Sequence, residues 1–340
     1  MQTQAEALTP TAGRKPMPFI LRFFQLFESL GVLLMLVIVL VVASLLNPVF
    51  VSPTNLTNMV ITASIVAVAG MGMTLALAMG GLDLSIGSIQ ALTACIAASL
   101  LGSTNSILLT IIGTLIAGLV IGTINGLLIT RLRVPAFVAT LGMMSIVRGA
   151  ALLFTNGQSV LIMGHDDFSR LNNDKLLGIP VPFIIALITL VVFYILLQHT
   201  PFGRHICAIG GNENAALATG LKVDRITVFV FSLVGLTAAL SGVMLSAQLM
   251  IVDGTLGAGF ELQAIAIGVL GGTSLTGGGG NLPGTLLGAL LLAAINSALN
   301  ILKVPAFYQY AALGTLLVFA LALDTLRRML IKRAVTGSIA

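Results

Sequence analysis

Residues Ser29 to Leu82 read SLGVLLMLVIVLVVASLLNPVFVSPTNLTNMVITASIVAVAGMGMTLALAMGGL, 54 positions without one Asp, Glu, Lys or Arg. A helix that crosses a bilayer needs about 20 apolar residues. The stretch therefore holds two crossings, the first closing at Asn47-Pro48. The intervals Leu84 to Thr130 (47 residues) and Leu262 to Leu302 (41 residues) are equally free of charge and hold two each. Single crossings fit Val134 to Phe154, interrupted by Arg148, then Leu176 to His199, Ile226 to Val252 and Val304 to Leu323. The expectation is an all-α, polytopic membrane protein of about ten spans. Whole-chain composition agrees, at 57% hydrophobic, 8% charged and mean hydropathy +1.10. A soluble domain carries charge at about 25% of its positions, so a soluble enzyme and a disordered chain are both excluded.

Basic loops resist translocation, which orients the chain. With the N-terminus inside, Arg14, Lys15, Arg22, Arg131, Arg133, Arg204, Lys222, Arg225, Arg327, Arg328, Lys332 and Arg333 all fall on the cytoplasmic side, twelve of sixteen basic residues. The acids Asp166, Asp167, Asp174, Asp253 and Glu261 fall outside. Both termini are then cytoplasmic, and the net charge of +5 is a topology signal, not a nucleic-acid footprint. The expected organisation is a tail over 1–28, a membrane domain over 29–325 containing a cytoplasmic loop at 200–225, and a basic tail over 326–340. Leu30 to Leu46 exceeds a secretory h-region and lacks a small-residue cleavage pattern, so it is kept as an anchor. Cys95 and Cys207 are too few for a disulfide framework and are expected as packing residues.

Glycine is abundant, with 37 residues. Gly118, Gly122 and Gly126, and later Gly284 and Gly288, repeat every fourth position, the pattern of close helix contact in membranes. Two segments break helical patterning outright: AMGGLDLSIGS over Ala78 to Ser88, and LGGTSLTGGGGNLPG over Leu270 to Gly284. Unwound backbone at membrane depth is tolerated only against protein or a water-filled cavity, as in the broken helices of transporters. Broken or re-entrant helices are therefore expected, with Asp83 and Ser85 on a pathway or Asp83 capping a tight cytoplasmic turn. Arg148 either lines a pathway or reaches an interface. Internal repetition is visible as well. Ile124-Asn125 followed by Val134-Pro135-Ala136-Phe137 matches Ile295-Asn296 followed by Val304-Pro305-Ala306-Phe307, and the two enter the membrane from opposite sides, the mark of an inverted repeat.

The longest inside loop is TPFGRHICAIGGNENAALATGLKVDR, Thr200 to Arg225. Asn212 can cap a helix from Glu213 to Thr219, and Gly220 can end it. Two turns of helix are marginal alone, so this one is expected to pack on something.

This loop, MGGLDLSIG around Asp83, and ELQAIAIGVLGGTSLTGGGGNLPGTLLGAL resemble, in that order, the permease subunits of bacterial ABC importers for monosaccharides, most closely the ribose-type branch. The likeness runs from about Asn55 to Leu323 and implies an inner-membrane protein working as a homodimer or pseudo-dimer. It implies two cytoplasmic ATP-binding cassette subunits that bind ATP and Mg, and a periplasmic sugar-binding protein. The family's cassette-docking segment falls on Gly203, Arg204, Gly210, Asn212, Glu213, Ala215, Ala216 and Gly220.

No GxxxxGK[ST] phosphate loop occurs, so ATP hydrolysis is expected in a partner and no cofactor in this chain. A neutral sugar needs hydroxyl-matching groups. With Asp83, Ser85 and Arg148, the candidates for the path are Asn125, Gln248, Gln263, Asn296 and Asn300, each of which could instead bond between helices. Asp166, Asp167, Asp253 and Glu261 are candidates for meeting a binding protein. The alternative class is an ion-coupled secondary carrier, for which Asp83 is the plausible acid. His165, His199 and His205 lie in expected loops and neither HExxH nor GxSxG occurs, so neither an intramembrane enzyme nor a metal site is expected.

Overall fold

The computed structural model describes residues 19–305 without a break and, beyond them, 307–309, 311, 312, 314, 315, 318, 322 and 325. Residues 1–18, the tail over 326–340 and much of the tenth expected span lie outside the described residues. The rest is helical: α1 (Phe19–Leu46), α2 (Pro53–Ala78), α3 (Ile86–Thr104), α4 (Ile107–Arg131), α5 (Ala136–Phe154), α6 (Asp166–Asn173), α7 (Val181–Tyr194), α8 (Pro201–Gly211), α9 (Glu213–Ala218), α10 (Val223–Leu249), α11 (Phe260–Leu270) and α12 (Leu282–Ile301). A wider-turned segment, Ile195–His199, prolongs α7. Two short antiparallel pairs lie in loops: β1 (Val160–Leu161) with β4 (Ile251–Val252), and β2 (Lys175–Leu176) with β3 (Ile179–Pro180).

Among the described residues seven helices are long and apolar enough to cross a membrane, and the apolar parts Gly31–Leu46 and Phe260–Leu270 are shorter. By position these segments coincide with the first nine expected intervals. At about 1.5 Å per residue, α11 is roughly half as long as a 30 Å hydrocarbon layer is thick. The glycine run after it, 271–281, is non-helical and loops back on itself: the Asn281 amide donates to Thr273 Oγ1 at 3.0 Å, and Gly271 packs on Gly284 of α12. The first break is tighter: α2 stops at Ala78, and the chain turns through Gly80 and Asp83 before α3 starts at Ile86.

The helix α2 forms the axis of the bundle. Every residue from Ala63 to Met79 is buried, because α7, α10, α11 and α12 surround it. Such a helix is apolar on all faces, unlike the amphipathic helices of soluble proteins. The outer helices instead expose apolar side chains to lipid, for example Ile112 and Ile116 on α4, Ile146 on α5 and Val192 on α7. The glycine stripe of α4 packs on α10. A Cβ at Gly122 would collide with the Phe231 carbonyl and lie 3.0 Å from the Gly235 nitrogen, so the two backbones meet directly.

The repeated VPAF segments also share backbone. Arg133 and Lys303, which precede them, both adopt left-handed conformations, with φ of 55° and 56°. Two elements were not foreseen, since both fall in expected loops. The first is α6, anchored by the fully buried Phe168 beside Cys95, Ile162 and Val252. The second is α8, capped by Thr200, whose hydroxyl accepts from the Gly203 amide.

Candidate functional site

On the basic side of the bundle, α8 and α9 form an arm. Asn212 ends α8 and caps α9, its side chain accepting from the Ala215 amide at 3.0 Å. The expected short helix is present, and Gly220 follows it with φ +83°. Ala216 is buried and holds the arm down, whereas Arg204, Asn212, Glu213, Ala215, Leu217 and Gly220 are exposed. An exposed leucine beside an exposed carboxylate on so short a helix suits contact with another protein. Gly203 and Gly210, by contrast, serve the arm's own base. A side chain at Gly203 would strike the backbone of Leu197. One at Gly210 would strike the Ala78 carbonyl and lie 2.6 Å from the Gly278 nitrogen.

That contact joins both helix breaks to the arm. The Gly278 amide donates to the Ala78 carbonyl at 2.9 Å, the Gly277 backbone abuts Gly210, and Gln198 donates to the Gly280 carbonyl at 3.3 Å. Helix α8 therefore touches the end of α2 and the segment between α11 and α12 at once.

Asp83, Ser85 and Asn125 come together as one network, each fully buried. Asp83 Oδ1 accepts from the Ser85 amide (2.8 Å) and hydroxyl (2.6 Å), and Asn125 Nδ2 donates to Asp83 Oδ2 (3.2 Å) and Ser85 Oγ (2.8 Å). Thr140 adds a bond to the neighbouring Leu82 carbonyl at 3.2 Å. Asp83 thus caps the turn, as one of the two readings required, but inside the protein and tied to α4. The carboxylate's bonds are spent on shape.

Arg148 is partly buried. From α5 its guanidinium donates to the carbonyls of Gly254 (2.9 Å) and Leu256, pinning the loop that leads into α11. Near that loop Glu261 Oε2 and Gln90 Oε1 are buried without partners, both close to the contact between Gly87 and Gly257. Glu261 therefore turns inward rather than toward a rim. Asp253 accepts from the amide and hydroxyl of Thr255 and shapes the same turn. The other outer acids, Asp166 and Asp167, are exposed in the first turn of α6, with Asp167 3.1 Å from Arg170.

The remaining candidates separate. Asn296 and Asn300 line a cavity of about 250 Å³ between the C-terminal end of α12 and the N-terminal end of α2, while Gln248 and Gln263 do not. Across from them stand Asn55, Asn58 and Thr62, which sequence reasoning missed. Their signal was an i, i+3, i+7 polar stripe at the start of an otherwise apolar helix. Ser297 donates to Asn55 Oδ1 at 2.9 Å and so ties the two helices together. Among the described residues no group of His, Cys, Asp and Glu is arranged to hold a metal.

Comparison with known proteins places this geometry. Residues 55–321 match the family described as branched-chain amino acid transport system / permease component. A ribose import permease protein of Bacillus subtilis is 42% identical over 305 residues, 89% of this chain and 95% of that protein. An L-arabinose ABC transporter permease protein of Azospirillum brasilense is 37% identical over 328 residues, 96% of each chain. A D-allose transport system permease protein of Escherichia coli K12 is 36% identical over 306 residues, 89% of this chain and 94% of that protein. No solved structure matches the chain.

Proposed function

The chain belongs to the family of transport-system permease components, as a multi-pass ABC-importer subunit of the bacterial inner membrane, and we propose that the solute it passes is a monosaccharide of the ribose type. The family description speaks of branched-chain amino acids, whereas relatives named for ribose, L-arabinose and D-allose align with nearly the whole chain. The charges inside the bundle favour the sugar. An amino acid carries a carboxylate and an ammonium, and each needs a partner where water is scarce. Here Asp83 is bound to Ser85 and Asn125, and Arg148 to loop carbonyls, so neither is presented to a zwitterion, and the partnerless Oε2 of Glu261 is wedged against Gly87.

The observation that carries the ATP-driven reading is the arm whose Gly210 sits against both helix breaks. ATP is hydrolysed by a partner cassette, which grips the arm through Arg204, Asn212, Glu213, Ala215 and Gly220. Closure of two cassettes moves α8, and the junction of Ala78 with Gly278 shifts α2 and the segment after α11 between outward and inward arrangements. A second copy of the permease completes the path, with Asn296 and Asn300 along it and Asp83, Ser85 and Asn125 holding its scaffold. A periplasmic sugar-binding protein meets the outer face near Asp166 and Asp167, where charge steers encounter.

Extraction in mild detergent, followed by identification of what accompanies the chain, tests this reading. The expected companions are a cassette ATPase and a binding protein holding a monosaccharide. Uphill sugar accumulation by the lone chain in liposomes, driven by an ion gradient without nucleotide, would overturn it.

A further inference from the structure

The cavity between the N-terminal end of α2 and the C-terminal end of α12 has walls that the Ser297–Asn55 bond explains only in part. Asn55, Asn58, Thr62, Asn296, Ser297 and Asn300 contribute four amides and two hydroxyls, and no charged group lines it. Part of this set is fixed in place. Asn55 donates to the Phe50 carbonyl at 2.7 Å and accepts from Ser297, and Asn300 Oδ1 accepts from Gln309 at 2.8 Å. The other three side chains, Asn58, Thr62 and Asn296, make no hydrogen bond among the described residues, and Asn58 and Thr62 are exposed. Amides at the membrane end of a helix that met only hydrocarbon would lose their hydration with nothing in return, so something polar covers them. An anion or cation would find no opposite charge. A group that both gives and takes hydrogen bonds through several neutral atoms would find a partner at each position, since each amide and hydroxyl does both.

Size narrows the occupant. The cavity lies below the roughly 300–1,000 Å³ usual for drug-sized ligands, which suits a single sugar ring, and Met59 and Ile301 supply apolar wall for its C–H faces. We propose that this cavity is a subsite for a neutral polyhydroxyl ring, where a monosaccharide entering from the outer face is held by Asn58, Thr62 and Asn296 before passage. The proposal rests on the import reading above and gives it a place in the chain. Fixed walls, with groups between them that make no hydrogen bond among the described residues, are a pre-formed site that needs little ordering on binding.

The test uses the full importer, with its cassettes and binding protein, in nanodiscs and in proteoliposomes. Asn58→Cys is introduced with Cys95→Ser and Cys207→Ser, and its rate of modification by a small polar thiol reagent is followed. Modification is expected, and it slows several-fold when ATP and binding protein loaded with D-ribose, L-arabinose or D-allose are supplied, relative to empty binding protein. Asn296→Leu and Thr62→Val are expected to lower sugar uptake about ten-fold while membrane expression and cassette co-purification stay at parental levels. Asn296→Gln should recover part of the loss. A cysteine that sugar leaves unprotected, with uptake intact in Asn296→Leu, would overturn the subsite. So would protection that needs no sugar and vanishes in detergent, because the occupant is then a lipid headgroup. Failure of the import reading looks different: the parent complex would show no ATP-dependent uptake.

Discussion

Gly278 donates its amide to the carbonyl of Ala78 at 2.9 Å, and Gly210 lies against both. Residues 200 positions apart, each in a segment that could not be a regular lipid-facing helix, thus share one bond under the arm. Ala78 is the last residue of α2, the buried axis of the bundle, and Gly278 lies in the non-helical segment between α11 and α12. One backbone hydrogen bond therefore links the end of that axis to the glycine-rich segment directly beneath the arm.

Replacement of Gly210 by alanine puts a methyl group where only backbone now fits, and the backbone on both sides must move. Sugar uptake in reconstituted vesicles is expected to fall about ten-fold, while cassettes remain bound and ATP continues to be hydrolysed. Gly211→Ala is the control, since a side chain there meets nothing within 4 Å. Equal uptake by the two variants would show that the junction carries no motion.

Glu213 opens α9 with its carboxylate at the helix N-terminus and exposed, a favourable place for negative charge. Glu213→Arg reverses that charge without touching Ala216, which anchors the arm. The variant should reach the membrane in parental amounts but release its cassette during purification and lose ATP-driven uptake. Glu213→Gln keeps the shape and should lose less. Normal uptake by Glu213→Arg at normal expression would remove Glu213 from the docking surface.

Gly122 meets the Phe231 carbonyl and Gly235 across the contact of α4 with α10. Alanine there forces two helices apart, at a cost of about 1–3 kcal/mol, the usual range for overpacking. A thermal-shift measurement in detergent should find a lower melting temperature than for the parent. Gly142→Ala, where nothing lies within 4 Å, should leave melting unchanged.

The spans were legible because charge is so costly in hydrocarbon that its absence over 54 residues leaves few alternatives. The stripe at Gly118, Gly122 and Gly126 was legible for a related reason, as lipid gives helices little cause to associate except close packing. Shorter elements were not. Both α6 and α8 are held by tertiary contacts, Phe168 in one case and Gly203 on Leu197 in the other, and neither contact has a local signature. The cavity was half visible. Asn296 and Asn300 stood out as polar residues late in a span, but Asn55 and Asn58 sit at a helix start, where polar residues are ordinary. Only the approach of α2 to α12 makes them one wall.

The two ways of driving transport that the sequence left open ask different things of Asp83. A secondary carrier needs an acid that gains and loses its ion during the cycle, and Asp83 was the plausible one. In the fold its two oxygens accept from the Ser85 amide, the Ser85 hydroxyl and Asn125, so the carboxylate acts as the knot between the α2–α3 turn and α4. Asp83→Ala leaves buried donors without acceptors, at about 1–3 kcal/mol for each orphaned group, and should lower melting temperature and yield. Asp83→Asn restores the shape but sets its amide against the amide of Asn125. Adding Asn125→Asp exchanges donor and acceptor and should recover much of the lost stability and uptake, since a knot needs only a matched pair. An ion site would not be rescued by moving its carboxylate to another helix. The companion measurement is uptake in ATP-loaded proteoliposomes with the proton and sodium gradients collapsed by ionophores. Transport should continue undiminished in the parent and in the exchanged double variant. Arrest of the parent under those conditions, with ATP still present, would return Asp83 to the role of an ion carrier.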